Sequence, residues 1–143
     1  MKHRPYRVLL LVAVLATAAA CSKVESSESE YKDPATLTEI EGKTNKQVTF
    51  TERAMERIGV ETKPVTDGAD GRVVPYSSIV YDPDGTTWVF TEVKPRSFLR
   101  VPITVTDIRG EEVVISDGPT SGTPVATVGV SELFGAEHEL GAH

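Results

Sequence analysis

A chain of 143 residues, 39% hydrophobic and 25% charged, is long enough for one globular domain and too short for several. Its formal charge is −6 and it has no cluster of Lys and Arg interleaved with aromatics, which argues against nucleic acid as a partner, because polyanion binding rests on counterion release by grouped cations. A single cysteine, Cys21, excludes an internal disulfide, so the core alone must stabilise the fold.

Residues 1–20 read as an export signal. Lys2, Arg4 and Arg7 open it, an apolar run of 13 residues follows from Val8 to Ala20, and small residues precede Cys21. A spanning helix needs about 20 apolar residues, so the run is expected to be a cleaved signal rather than a permanent anchor. Leu15-Ala-Thr-Ala-Ala-Ala-Cys21 resembles a bacterial lipobox, in which the cysteine becomes the first mature residue and is acylated on its sulfur and amine. Ala18 departs from the larger aliphatic residue usual at that position. Ordinary cleavage after Ala20 would cut the same bond and leave a free thiol, which has no partner in an oxidising compartment. Two or more acyl chains hold a protein stably to a bilayer, so the expected location is the extracytoplasmic face of a cell membrane. Loss of the three signal cations takes Lys+Arg from 15 to 12 against 21 Asp+Glu, a mature charge of −9.

Ser22-Lys-Val-Glu-Ser-Ser-Glu-Ser-Glu30 is nearly free of large apolar groups, and residues 21–46 are predicted to form a lipidated flexible tether. Leu37 and Ile40 are too few to suggest a core element. A domain over residues 47–140 then begins with a short strand around Val48 and Phe50, and residues 141–143 are a tail. Thr51 can cap a short helix, Glu52 suits its positive end and Gly59 ends it, with Ala54, Met55 and Ile58 on the packing side. Residues 60–65 return as a strand, and Thr66–Gly71 is a tight glycine-rich connection.

From Arg72 onward the pattern is strand. Asp82-Pro-Asp-Gly85 has the residues of a type I turn, and the carboxylate that would close a calcium loop is replaced by Val93. Thr87–Val93 is rich in β-formers. Between Phe98 and Ile108, Leu99, Val101, Ile103 and Val105 fall on one face and Arg100, Thr104 and Thr106 on the other, with Pro102 favouring an edge or bulge. Residues 113–116 and 125–128 complete five or six short strands. With one short helix, they predict a mainly β fold, a small barrel or sandwich.

Chemistry is sparse. His3 leaves with the signal, and His138 and His143 sit near the end of the chain, where a surface tail is the simpler reading than a weak metal site. The lone cysteine is committed to lipid, the pair Glu111-Glu112 sits at a turn, and the glycines of 66–71 do not open a helix as a phosphate loop requires. Trp88 and Phe90, two apart in a strand, read as core. No catalytic residues, metal site or cofactor are expected.

Two stretches together resemble the periplasmic adaptor proteins, or membrane fusion proteins, of tripartite efflux systems. Val48-Thr-Phe-Thr-Glu-Arg-Ala-Met-Glu-Arg-Ile-Gly-Val-Glu-Thr62 is similar to the segment opening an adaptor's membrane-proximal region. Val74-Pro-Tyr-Ser-Ser-Ile-Val80, Trp88-Val-Phe90, Phe98-Leu-Arg100, Ile115–Gly122 and Val128–Leu133 are similar to the family's closing half. The lipoyl-like and helical-hairpin domains that separate these halves in the family are missing, the chain crossing that interval in Thr66–Gly71, and Pro119 stands where Leu is common. The resemblance implies a non-enzymatic lipoprotein resembling an adaptor's membrane-proximal domain. It implies a partner in an export transporter of the resistance-nodulation-division or ABC type, and it leaves oligomerisation open. The expected contact residues are Arg96 and Arg100 together with Asp117, Thr120 and Ser121 in the loop Asp117–Thr123, since loops on a rigid sheet commonly carry recognition. A free-standing envelope lipoprotein binding a small ligand or metal ion is the alternative.

Acylation at Cys21 is directly measurable. Intact-mass analysis of the native protein is expected to show added acyl mass on a chain beginning at Cys21, and Cys21→Ala is expected to move the protein to the soluble fraction. An unmodified thiol would refute the anchor.

Overall fold

The computed structural model describes residues 33–139. The expected signal, Cys21, the tether up to Lys32, and His143 lie outside the described residues. Ten strands run as β1 (Ala35–Thr38), β2 (Gln47–Phe50), β3 (Glu61–Pro64), β4 (Thr66–Gly68), β5 (Gly71–Pro75), β6 (Ile79–Tyr81), β7 (Thr87–Lys94), β8 (Ser97–Arg109), β9 (Glu112–Asp117) and β10 (Pro124–Val128). Helix α1 (Glu52–Ile58) follows β2, and α2 (Val130–Glu139) follows β10. The fold is mainly β, as the alternation of residues 72–128 predicts.

The strands form one sheet in the order β3-β10-β7-β8-β9-β5-β4, with β6 added to β7 and the β1–β2 pair added to β8. This sheet curls on itself. Its two end strands, β3 and β4, are successive parts of one chain segment separated by Val65 alone. Val65 holds the seam: its N–H donates to the Thr123 carbonyl (2.9 Å), and its own carbonyl accepts from the Gly122 N–H (2.8 Å). Pro102 falls between the part of β8 that pairs with β2 (Ser97, Phe98) and the part that pairs with β9 (from Thr104), so its missing donor breaks no ladder on that side.

Both faces of the central strands are buried. Val89, Ile103, Val113, Ile115 and Val125 pack with Val65 and Val74 inside the curl. On the other face Phe90, Phe98 and Ala126 pack with Val48, Phe50, Ala54 and Leu133 beneath the two helices, with Trp88, Met55 and Phe134 partly buried around them. Trp88 and Phe90 are therefore core, as expected.

Helix α1 follows the sequence signals closely. The Thr51 hydroxyl accepts from the Ala54 N–H (3.2 Å), and Gly59 ends the helix in the left-handed conformation at φ 66°, donating to the Met55 carbonyl (2.9 Å). Asp82-Pro-Asp-Gly85 turns the chain with Gly85 N–H bonded to the Asp82 carbonyl (2.9 Å). The connection Thr66–Gly71 is a hairpin, β4 pairing with β5 from Thr66↔Val73 to Gly68↔Gly71.

Two expectations need correction. The tether does not extend to residue 46: Ala35–Thr38 pairs antiparallel with Gln47–Phe50, Ala35 is in the core, and Leu37 packs against it. Four residues with apolar groups only at Ala35 and Leu37 carry too short an alternation to be read unaided. The C-terminal stretch carrying His138 is not a tail but a second helix, of 10 residues, with Leu133 fully buried.

Leu133 is the apolar anchor of α2. Leu133→Ala is expected to lower the unfolding free energy by about 2–5 kcal/mol, measured by urea or thermal melts. A variant as stable as the parent would place α2 outside the cooperative unit.

Candidate functional site

Arg100 departs most from its expected role. The alternation of β8 is as predicted, but the face carrying Arg100 is the one roofed by α2 and by the segment leading into β2. Arg100 is 8% exposed and cannot be a surface contact. Its Nη1 donates to Asp82 Oδ1 (2.9 Å) and Oδ2 (2.7 Å), while its Nε stands 2.9 Å from Glu137 Oε2 without hydrogen-bond alignment. The guanidinium carbon lies 4.7 Å from the Trp88 ring centre and 5.6 Å from that of Phe134. The Asn45 amide donates to the Arg100 carbonyl (3.3 Å).

One cation thus joins four parts of the chain: the approach to β2, the β6–β7 turn, β8 and α2. A guanidinium suits the place because it is planar, always charged and able to address two carboxylates at once while stacking on rings. The charges do not balance, with two carboxylates about one cation. Burial raises the pKa of Glu137 despite the pull of Arg100 and His138, and Asp82 adds to the rise. His138 is exposed, stacks on Phe134 (4.1 Å between ring centres) and places Nδ1 2.9 Å from the Phe134 carbonyl.

The loop Asp117–Thr123 is held in one shape. Arg72 Nη1 donates to the carbonyls of Gly118 (2.6 Å) and Pro119 (2.7 Å), and Nη2 to that of Ser116 (3.1 Å). The Ser121 hydroxyl bonds Asp67, Thr120 and Thr123 share a hydroxyl bond (3.2 Å), and the Val65 bonds hold the loop's end. Gly118 has φ 140°, and a Cβ there would sit 2.8 Å from Ile103 Cγ2. Asp117, Thr120 and Ser121 are exposed on this frame. The clamp is not legible in the sequence, because Arg72 lies 44 residues from Ser116 and reads simply as the first residue of a strand.

Arg96 is exposed at the β7–β8 turn and does not join the loop. Asp117 is in register with Thr104, eight residues beyond Arg96, about 26 Å along the strand. The five expected contact residues therefore divide among a buried network, a pinned loop and a hairpin tip.

A groove of about 540 Å³ is lined by Pro64, Val73, Pro75 and Tyr76, with Lys63 and the turn Gly110–Glu112 beside them. It contains none of the contact residues named from the sequence. Among the described residues, no group of three or more His, Cys, Asp or Glu is arranged to hold a metal ion, and no helix is long and apolar enough to cross a membrane. No family model, curated protein or solved structure matches the chain.

The Arg100 network makes a signed prediction. Because the folded-state pKa of Glu137 is raised, its contribution to stability is fully present below the ordinary carboxylate range and is lost as pH rises through the raised value. Glu137→Gln is expected to melt no lower than the parent at pH 7 and to flatten that slope. Arg100→Met leaves buried carboxylates unpaired and is expected to cost about 3–5 kcal/mol at pH 7, and less in acid. Equal slopes in the parent and Glu137→Gln would remove Glu137 from the network.

Proposed function

We propose that this chain is a non-enzymatic, lipid-anchored, adaptor-like component of an export transporter, acting through surface contact. The observation that carries the reading is the pinned loop Asp117–Thr123. Three backbone carbonyls fixed by one guanidinium give exposed Asp117, Thr120 and Ser121 a defined arrangement before any partner arrives. A contact surface that is already ordered loses little entropy on binding. The resemblance to periplasmic adaptors supplies the kind of partner, and the short β4–β5 hairpin is consistent with a domain whose outer parts are absent. The lipid expected on Cys21 would raise the effective concentration at the membrane, so that weak contacts suffice.

A second reading, an envelope lipoprotein binding a small ligand, draws on the groove beside Tyr76, whose volume is in the range of small-molecule sites.

Co-purification from detergent-solubilised membranes separates the two. Thr120→Arg places a bulky charge at an exposed loop position and is expected to melt like the parent while reducing the recovery of a membrane transporter about tenfold or more. Tyr76→Ala is expected to leave recovery unchanged. In a deletion strain, Cys21→Ala is expected to restore export poorly. Full export from that untethered form, or unchanged recovery with Thr120→Arg, would count against adaptor action.

A further inference from the structure

Arg96 is the only non-glycine residue with positive φ among the described residues, at 64°. Arg96 follows Pro95 in the turn between β7 and β8 and takes there the left-handed conformation that glycine adopts without steric cost. A residue bearing a β-carbon is strained there, and strain retained at an exposed turn points to work done by the side chain. The Arg96 backbone is fully engaged, its N–H donating to Glu92 Oε1 (3.0 Å) and its carbonyl accepting from the Phe50 N–H (3.0 Å). Its guanidinium forms no hydrogen bond or ion pair among the described residues, and the same holds for the Lys94 ammonium. A register shift between Glu92 and Lys94 marks a bulge at Val93, which is 44% exposed. The tip thus presents one apolar side chain beside two free cations, with Glu92 folded back on to the turn.

The position of this tip is a separate observation. Phe50, which bonds Arg96, is followed by Thr51, whose N–H donates to the Pro34 carbonyl (2.9 Å). The chain therefore enters the described domain within two hydrogen bonds of Arg96. Cys21 precedes Asp33 by 12 residues, at most about 40 Å of chain. The far end of β8, at Arg109, is 12 residues from Ser97, about 40 Å along the strand.

We propose that the Val93–Arg96 tip is a membrane-surface contact. Lys94 and Arg96 meet the phosphates of lipid headgroups, and Val93 sits at the interface. The proposal rests on the reading of Cys21 as the lipid anchor. The mature chain carries a formal charge of −9, so an anionic leaflet repels the body of the domain while attracting this one end. The lipid supplies attachment, and the tip sets which way the domain faces.

The test uses the natural acylated protein and, in parallel, the chain from Cys21 onward coupled through its thiol to a maleimide lipid. Both are placed on vesicles of phosphatidylglycerol and phosphatidylethanolamine containing a headgroup spin-labelled lipid. Reporter tryptophans are introduced as Val93→Trp or, at the other end of the domain, Ile108→Trp, both exposed positions, with Trp88 a common background. Strong quenching is expected with Val93→Trp and little with Ile108→Trp. Each cation near an anionic surface contributes about a fivefold bias in occupancy, so adding Lys94→Gln and Arg96→Gly is expected to bring the Val93→Trp signal down to the Ile108→Trp level. Arg96→Gly alone is expected to melt no lower than the parent. Equal quenching of the two reporters would overturn the proposal, as would quenching indifferent to the charge changes, or a melting temperature lowered by Arg96→Gly. Loss of transporter recovery without any quenching would assign the tip to a protein partner and overturn the lipid contact. Quenching only in the maleimide-coupled arm would refute the anchor reading and leave the tip contact standing.

Discussion

The middle of the β7–β8 hairpin, Val89–Thr91 against Phe98–Arg100, is out of water on both sides, and the other elements take their places from that requirement. Val89 and Ile103 face the inside of the curl, while Phe90 and Phe98 face the helices. A strand pair with apolar groups on both faces cannot be covered by one layer. The curl of the sheet covers the first face, and α1, α2 and the β1–β2 pair must cover the second. Burying a side chain the size of Phe or Leu contributes about 1.5–3 kcal/mol, so each cover element is held chiefly by a few such groups, Leu133 for α2 among them.

Arg100 is the polar counterpart of that packing. It occupies the same outer face as Phe90 and Phe98, where a neutral side chain would have packed without the cost of desolvating charge. What the guanidinium adds is direction. Asp82, Glu137 and Asn45 each accept from it or approach it at particular angles, so the helix and the N-terminal approach are fixed in orientation as well as in place. Arg72, on β5 two strands along the sheet, performs the matching task with backbone carbonyls in place of carboxylates. Two arginines thus order the segments that hydrophobic burial alone would leave loosely aligned.

Local chemistry was legible in the sequence and burial was only partly so. The cap at Thr51, the left-handed stop at Gly59 and the turn at Asp82–Gly85 each depend on residues within a few positions, and each formed as read. The alternation of β8 was also correct. Only Arg100 on the second face differs from its expected exposure, Thr104 and Thr106 being exposed, because what covers Arg100 is α2, 30 or more residues away. Charge and a place in a loop are what the sequence displays, and Arg100 shows the first while its partners Asp82 and Glu137 are distant in sequence. Asp117, Thr120 and Ser121 are exposed in their loop, but their rigidity comes from Arg72 and Asp67, which no local pattern connects to them.

The seam at Val65 has a kinetic consequence. The hairpins β4–β5, β7–β8 and β8–β9 join neighbours in sequence, but β3 meets β10 across 60 residues, with Pro64 opposite Pro124. Closing a loop of that length costs about 3.6 kcal/mol beyond a constant, and the cost falls before the seam's own contacts form. Ring closure is therefore the slow, late event of folding, and the seam is the first place to part under strain. A newly made chain passes through an interval in which its hairpins exist and its ring is open, with the edges of β3 and β10 unpaired. Pro64 and Pro124, facing each other at one end of that seam, deny two backbone donors to any foreign strand adding there first.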